Sequence, residues 1–154
     1  MTRRIIMVED DQRLVAEATP RLIVGGYTPF NTKLEETNTI EYWKKVNPTK
    51  DDLVVMDLNF KLAGVNFSGL TVLNLLNREK QRGQLPGLEQ VLVATSLKQQ
   101  LNSPDICLDL TAYRVYGLEK AVGPNNQVVS GSYANSLVDT IDKVYAGTAR
   151  QLNR

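Results

Sequence analysis

Leu53-Val54-Val55-Met56 is an unbroken apolar run that stops at Asp57, with Leu58 and Asn59 behind it. A short apolar run without alternation reads as a strand buried on both faces, the mark of a parallel sheet. The same pattern recurs on either side. Ile5-Ile6-Met7-Val8 ends in Glu9-Asp10-Asp11, and Val91-Leu92-Val93-Ala94 ends in Thr95-Ser96. A further strand through Arg114 to Leu118 leads into Glu119-Lys120. Tyr27 to Phe30 is a weaker run whose Pro29 suits a sheet edge.

Between these strands the apolar spacing becomes helical. Leu14, Val15, Ala18 and Leu22 share a face of a helix reaching about Val24, ended by Gly25-Gly26. Pro20 inside it predicts a kink or an early break. Asn38 and Glu41 read as a capping pair for a short helix carrying Ile40, Trp43 and Val46. Ser68 caps a helix with Leu70, Val72, Leu73 and Leu76 that stops near Gly83. Ser103-Pro104-Asp105 is a helix start. Ser132 opens a last helix with Tyr133, Leu137, Ile141 and Val144 on one face, closed by Gly147. Five strands, each followed by a helix, predict an α/β fold: a doubly wound five-stranded parallel sheet in three layers with right-handed crossovers. Residues 1–147 are expected to form one domain, and 148–154 a tail too short to be an effector.

Composition narrows the chemistry. The 154 residues carry 18 basic and 17 acidic side chains, a formal net charge of +1, one cysteine and no histidine. Histidine bases, histidine-ligated metals and a phosphohistidine on this chain are excluded. The lone Cys107 excludes an intramolecular disulfide and multi-cysteine clusters, and is expected to pack as a small apolar residue. Near-neutral charge argues against nucleic acid as a partner. Arg3-Arg4, the stretch Asn77 to Arg82, Glu35 and Glu36 are read as solvated surface. Trp43 is read as packing, and Gly25-Gly26 and Gly123-Pro124 as turns. No run is long enough to cross a membrane, so the default compartment is the cytoplasm.

In an open parallel sheet, function gathers at the carboxyl ends of the strands. There stand Glu9, Asp10 and Asp11, then Asp57, then Thr95, then Lys120. Carboxylates converging on one pocket raise each other's pKa values unless a cation neutralises them. Oxygen-only ligands suit Mg²⁺. A carboxylate can attack phosphorus, while a lysine and a hydroxyl stabilise the transferring group.

In these motifs, Ile5 to Asp11, Val54 to Asn59, Val91 to Ser96 and Glu119-Lys120, the sequence resembles the receiver domains of two-component response regulators, a CheY-like, flavodoxin-like (βα)5 fold. The resemblance covers essentially the whole chain and implies a phosphorelay protein. Asp57 would be the phosphoacceptor. Glu9, Asp10, Asp57 and Asn59 would form the Mg²⁺ site, with Asp10 a direct ligand, Glu9 acting through water and Asn59 giving its backbone carbonyl. Asp11 would cap the following helix. Thr95 would donate to a phosphoryl oxygen, with Ser96 the small residue beside it, and Lys120 would pair with the phosphoaspartate. The donor would be a histidine kinase or phosphotransfer protein, and output would pass through contacts with a downstream protein partner. A homodimer is compatible with this, and neither nucleic acid nor membrane is implied.

The sequence also departs from the family. Ala121 follows Lys120 where receivers usually have proline, so the loop is rebuilt or Lys120 sits differently. Lys61 stands four residues after Asp57 in place of a common proline. The connections at 60–69, 81–90 and 121–132 are longer than usual. Gly117 takes the position of the family's aromatic switch residue, with Tyr116 beside it as a substitute or a packing residue. Two other readings stay open. One is a pseudo-receiver, an interaction module not switched by phosphate. The other is a haloacid-dehalogenase-type phosphohydrolase, against which Asn59 stands where that family has a proton-transferring aspartate.

Overall fold

In a computed structural model, the chain is described for residues 3–60, 62, 68–125, 127–129 and 131–154. Strand β1 (Arg4–Val8) leads into helix α1 (Gln12–Val24), then β2 (Thr28–Asn31) and α2 (Ile40–Val46). These are followed by β3 (Leu53–Asp57), α3 (Gly69–Gln81) and β4 (Gln90–Thr95), and then α4 (Pro104–Cys107), β5 (Arg114–Glu119) and α5 (Ser132–Ala146). All neighbouring strands pair in parallel, in the order β2-β1-β3-β4-β5. This is the flavodoxin-like order, and it reverses between β1 and β3.

Strand side chains alternate between two apolar cores. Ile6, Val8, Val54, Met56, Val91, Val93 and Val115 pack beneath the side that carries α2, α3 and α4. Ile5, Met7, Leu53, Val55, Leu92, Ala94 and Leu118 pack against α1 and α5. Every residue of β3 and β4 is buried, as the unbroken runs require. The weak strand β2, with Pro29, lies at the sheet edge.

Local chemistry explains the helix ends. The Asp11 carboxylate caps α1, accepting from the Arg13 and Leu14 amides at 3.0 and 3.4 Å. Helix α1 runs unbroken through Pro20, so the early break does not occur. Pro20 and Ala16 are both exposed, so the backbone bond that proline cannot make is lost on the solvent face of the helix. The cap of α2 is Thr39, whose hydroxyl accepts from the Tyr42 amide at 3.4 Å, rather than Asn38. Trp43 is fully buried, its indole N–H donating to the Thr37 carbonyl at 2.6 Å. Helix α4 begins at Pro104 as expected but is only four residues long. It follows a 3-10 turn, Lys98–Asn102.

Two stretches read as solvated surface are tied into the fold. The Arg4 guanidinium donates to Asp52 Oδ2 and to the Val46 and Asn47 carbonyls, and the Arg4 amide donates to Asp52 Oδ1, pinning the start of β1 to that of β3. Asn77 and Glu79 are buried. The Asn77 carbonyl oxygen accepts from the Thr111 and Ala112 amides at 3.0 and 2.9 Å, shaping the approach to β5. Glu79 lies between Arg78 and Arg82.

The tail does not hang free. Gln151 bridges Tyr116 in antiparallel fashion, and the Leu152 amide donates to the Val115 carbonyl at 2.7 Å. Asn153 accepts from the Val115 amide at 3.1 Å and donates to the Leu110 and Tyr113 carbonyls, each at 2.7 Å. The outer edge of β5 is thereby covered by the chain's own last residues.

Candidate functional site

The strands that flank the order reversal end together, and β1 delivers Glu9 and Asp10 while β3 delivers Asp57. One oxygen from each of these three carboxylates lies within 4.8 Å of the others. Glu9 and Asp57 are buried, and Asp10 is partly exposed. From the end of β5, Lys120 Nζ reaches Glu9 Oε1 at 2.6 Å and Asp57 Oδ1 at 3.5 Å. Its ammonium also sits 5.3 Å from the ring centre of buried Tyr133. Glu9, Asp10, Asp57 and Lys120, with Asn59, Ser96, Asp11, Leu14 and Val128, line an open cavity of about 160 Å³.

Burial is the first reason that both carboxyl groups hold protons more tightly than usual. The Glu9 carboxyl is pushed up to about 8, by burial and then by the Asp57 charge, with Lys120 opposing. Asp57 is also raised, by burial, against the pull of Lys120 and the Asn59 amide. That amide donates to Asp57 Oδ1 at 3.0 Å. A second cation would relieve this congestion, and the donor set suits a hard one. Three convergent carboxylate oxygens, with neither sulfur nor imidazole among them, fit Mg²⁺ and leave room for its waters.

At the end of β4, Thr95 is fully buried. Its hydroxyl donates to Gln100 Oε1 and accepts from Asn59 Nδ2 at 2.9 Å and from the Leu97 amide at 3.0 Å. The Asn59 and Gln100 side-chain amides also bond each other in both directions, at 3.1 and 3.2 Å.

Of the six residues singled out from the sequence, Glu9, Asp10, Asp57, Asn59 and Lys120 line one opening, and fully buried Thr95, which is not part of that lining, joins them through Asn59. Asp11 shares the cavity lining, but its carboxylate is engaged as the α1 cap. The loop after Lys120 is rebuilt: Val122 and Val128 bridge in antiparallel fashion, and Val129 donates to the Ala121 carbonyl at 2.9 Å. With that hairpin in place, Lys120 still enters the pocket without a following proline. Lys61 lies outside the described residues. Tyr116 packs in the α1–α5 core and not toward Thr95.

Three contributors went unread in the sequence. Gly69, the first residue of α3, lets that helix approach β3: a Cβ there would meet the Asp57 carbonyl oxygen at 2.2 Å. Gln100 lies in a polar turn that spacing alone does not connect to Thr95. Tyr133 reads only as a core position, yet it lies beneath Lys120, and its buried hydroxyl has no hydrogen-bond partner among the described residues.

No protein-family model matches the chain, and no curated protein matches it. Solved structures do. The signal receiver domain of a Vibrio parahaemolyticus protein assigned as a Luxo repressor superposes with a TM-score of 0.58 at 20% identity, over 96% of this chain and 90% of that one. A CheY-like response regulator receiver domain from Methylobacillus flagellatus superposes with a TM-score of 0.50 at 18% identity, over 82% and 92% respectively. The strand order, the site at the strand ends and these superpositions agree: the chain has the CheY-like receiver fold.

Proposed function

We propose that this chain is a phosphoacceptor signalling domain that takes a phosphoryl group on Asp57 with Mg²⁺ bound and acts through protein contacts. One observation carries the reading: Lys120 Nζ lies within reach of both Glu9 and Asp57 in the pocket where three carboxylate oxygens converge. Glu9, Asp10 and Asp57, with Asn59 beside them, would hold the ion, which supplies charge neutralisation at the phosphoryl oxygens when bound. An Asp57 carboxylate oxygen attacks phosphorus, and the bond from phosphorus to the donor's leaving group breaks. With acetyl phosphate the leaving group is acetate; with a kinase or phosphotransfer protein it is a histidine nitrogen. Lys120 faces the charge that develops on the phosphoryl group, and Thr95 offers a hydroxyl donor to it. Asn59 is an amide and moves no proton, so the chemistry of the site ends at the acyl phosphate and its hydrolysis.

Intact-mass analysis after incubation with Mg²⁺ and acetyl phosphate tests this, with Asp57→Ala alongside. The expected result is one phosphoryl adduct on the wild type and none on the variant. An unmodified wild type would sink the proposal.

A second reading is an interaction module that is not switched. The close Lys120–Glu9 pair favours it, because that contact already neutralises part of the acidic pocket. Calorimetric titration with Mg²⁺ separates the two readings: the phosphoacceptor binds the ion, and the unswitched module gives no heat of binding.

A further inference from the structure

We propose that Gln100 is a positioning residue that latches the Thr95 hydroxyl and couples the site to the C-terminal strap on β5. The proposal rests on the phosphoacceptor reading and deepens it.

A threonine hydroxyl has one hydrogen to donate. Here that hydrogen goes to Gln100 Oε1, while the oxygen accepts from Asn59 Nδ2 and the Leu97 amide. Thr95 therefore has no donor left for a phosphoryl oxygen until Gln100 lets go. Asn59, two residues beyond Asp57, is held by the same amide from both of its side-chain atoms. Gln100 thus engages the two polar side chains beside the acceptor at once.

The residue after Gln100 faces the other way. Gly117 of β5 leaves a slot where a Cβ would lie 3.2 Å from Leu101 Cδ1 and 2.9 Å from Leu152 Cδ1. Leu101 from the 3-10 turn and Leu152 from the tail thus meet over one glycine, both packed on the same core. The Leu101 carbonyl is also held by the Cys107 thiol of α4 at 3.3 Å. A phosphoryl group that draws Thr95 toward Asp57 pulls its hydroxyl off Gln100. The turn then loses its tie to the site, and Leu101 loses its fixed place against Leu152. The path runs from Thr95 to Gln100 through a hydrogen bond, along the chain to Leu101, and over Gly117 to Leu152. The strap is the element released, and the β5 edge is the surface it uncovers.

The test uses the full chain, with Gln100→Ala and Gln100→Glu beside the wild type. Glutamate keeps the acceptor for the Thr95 hydroxyl and Asn59 Nδ2 and loses only the donor to Asn59 Oδ1, so it preserves the hold on Thr95. Two quantities are read: the rate of phosphoryl uptake from acetyl phosphate with Mg²⁺, and hydrogen exchange at the Leu152 amide in the unmodified, metal-free proteins. Gln100→Ala is expected to take up phosphoryl about fivefold faster, the factor that losing one net hydrogen bond gives. Its Leu152 amide is expected to exchange faster by a similar factor, and in Gln100→Glu at the wild-type rate. Wild-type uptake by Gln100→Ala, or unchanged Leu152 exchange in it, overturns the latch while the acceptor reading stands. If the wild type takes up no phosphoryl group, the acceptor reading falls and the exchange comparison alone decides. Faster exchange in Gln100→Ala then supports the latch, and equal exchange overturns it.

Discussion

Glu9 is where pH enters this protein. Its carboxyl group has an ordinary value of 4.5 and is pushed up to about 8 in the fold, by burial first and the Asp57 charge second. The folded protein then binds more protons than the unfolded chain between those values, so stability falls as pH rises through that window. Asp57 shifts in the same direction and adds to the slope. Metal-free protein should therefore melt at progressively lower temperature from about pH 5 to about pH 8, and saturating Mg²⁺ should flatten the decline. A melting series in chelator and in Mg²⁺ checks this; a metal-free melting point that rises across the window contradicts it. Asp57→Asn removes one of the repelling charges. It should raise the metal-free melting temperature near pH 8 by a few degrees, the scale of ~1 kcal/mol in a domain of this size, and weaken Mg²⁺ binding. Thermal melts and a Mg²⁺ titration of the variant decide. The acids and Lys120 were legible in the sequence because each ends an apolar run. Gln100 was not, since its role depends on how the turn after β4 folds back over Asn59.

The approach of α3 to β3 decides how Asp57 is held. Gly69 leaves no room for a side chain: a Cβ would stand 2.2 Å from the Asp57 carbonyl oxygen and 2.8 Å from Leu58 Cα. Gly69→Ala must push the helix start away from the strand end, with an expected cost of about 1–3 kcal/mol in stability. It should also slow phosphoryl uptake, because Asp57 moves with its backbone. Chemical denaturation and the uptake rate measure the two effects. The strands and the longer helices were readable from periodicity, since their apolar faces match their burial. Two caps and breaks were not. Thr39 takes the cap expected of Asn38, and Pro20 is absorbed by α1 because its outer face meets water. The start of α4 was readable at Ser103-Pro104-Asp105, but its four-residue length was not, because nothing after the start specifies an end.

The sheet order joins these elements into one site. Periodicity gave five parallel strands, but the placement of β1 between β2 and β3 comes only from the pairing, and that placement brings Glu9 and Asp10 to Asp57. The tail was legible only as a short polar stretch. Its role rests on Asn153, which spans three backbone groups around β5. Asn153→Ala should leave those buried groups unpaired and cost about 1–3 kcal/mol, read by chemical denaturation. A loss confined to fast exchange at residues 149–154, with global stability unchanged, would show that the strap folds separately from the sheet.

We propose these strand ends as one acceptor site with Asp57 as the nucleophile. Peptide mapping after treatment with acetyl phosphate and Mg²⁺, followed by borohydride reduction, tests it most directly, because reduction converts an aspartyl phosphate to homoserine. The expected result is homoserine at position 57 and nowhere else, and none when Mg²⁺ is chelated. Homoserine at Glu9's neighbour Asp10 or at Asp11, or an unmodified Asp57 in protein that binds Mg²⁺, would contradict it.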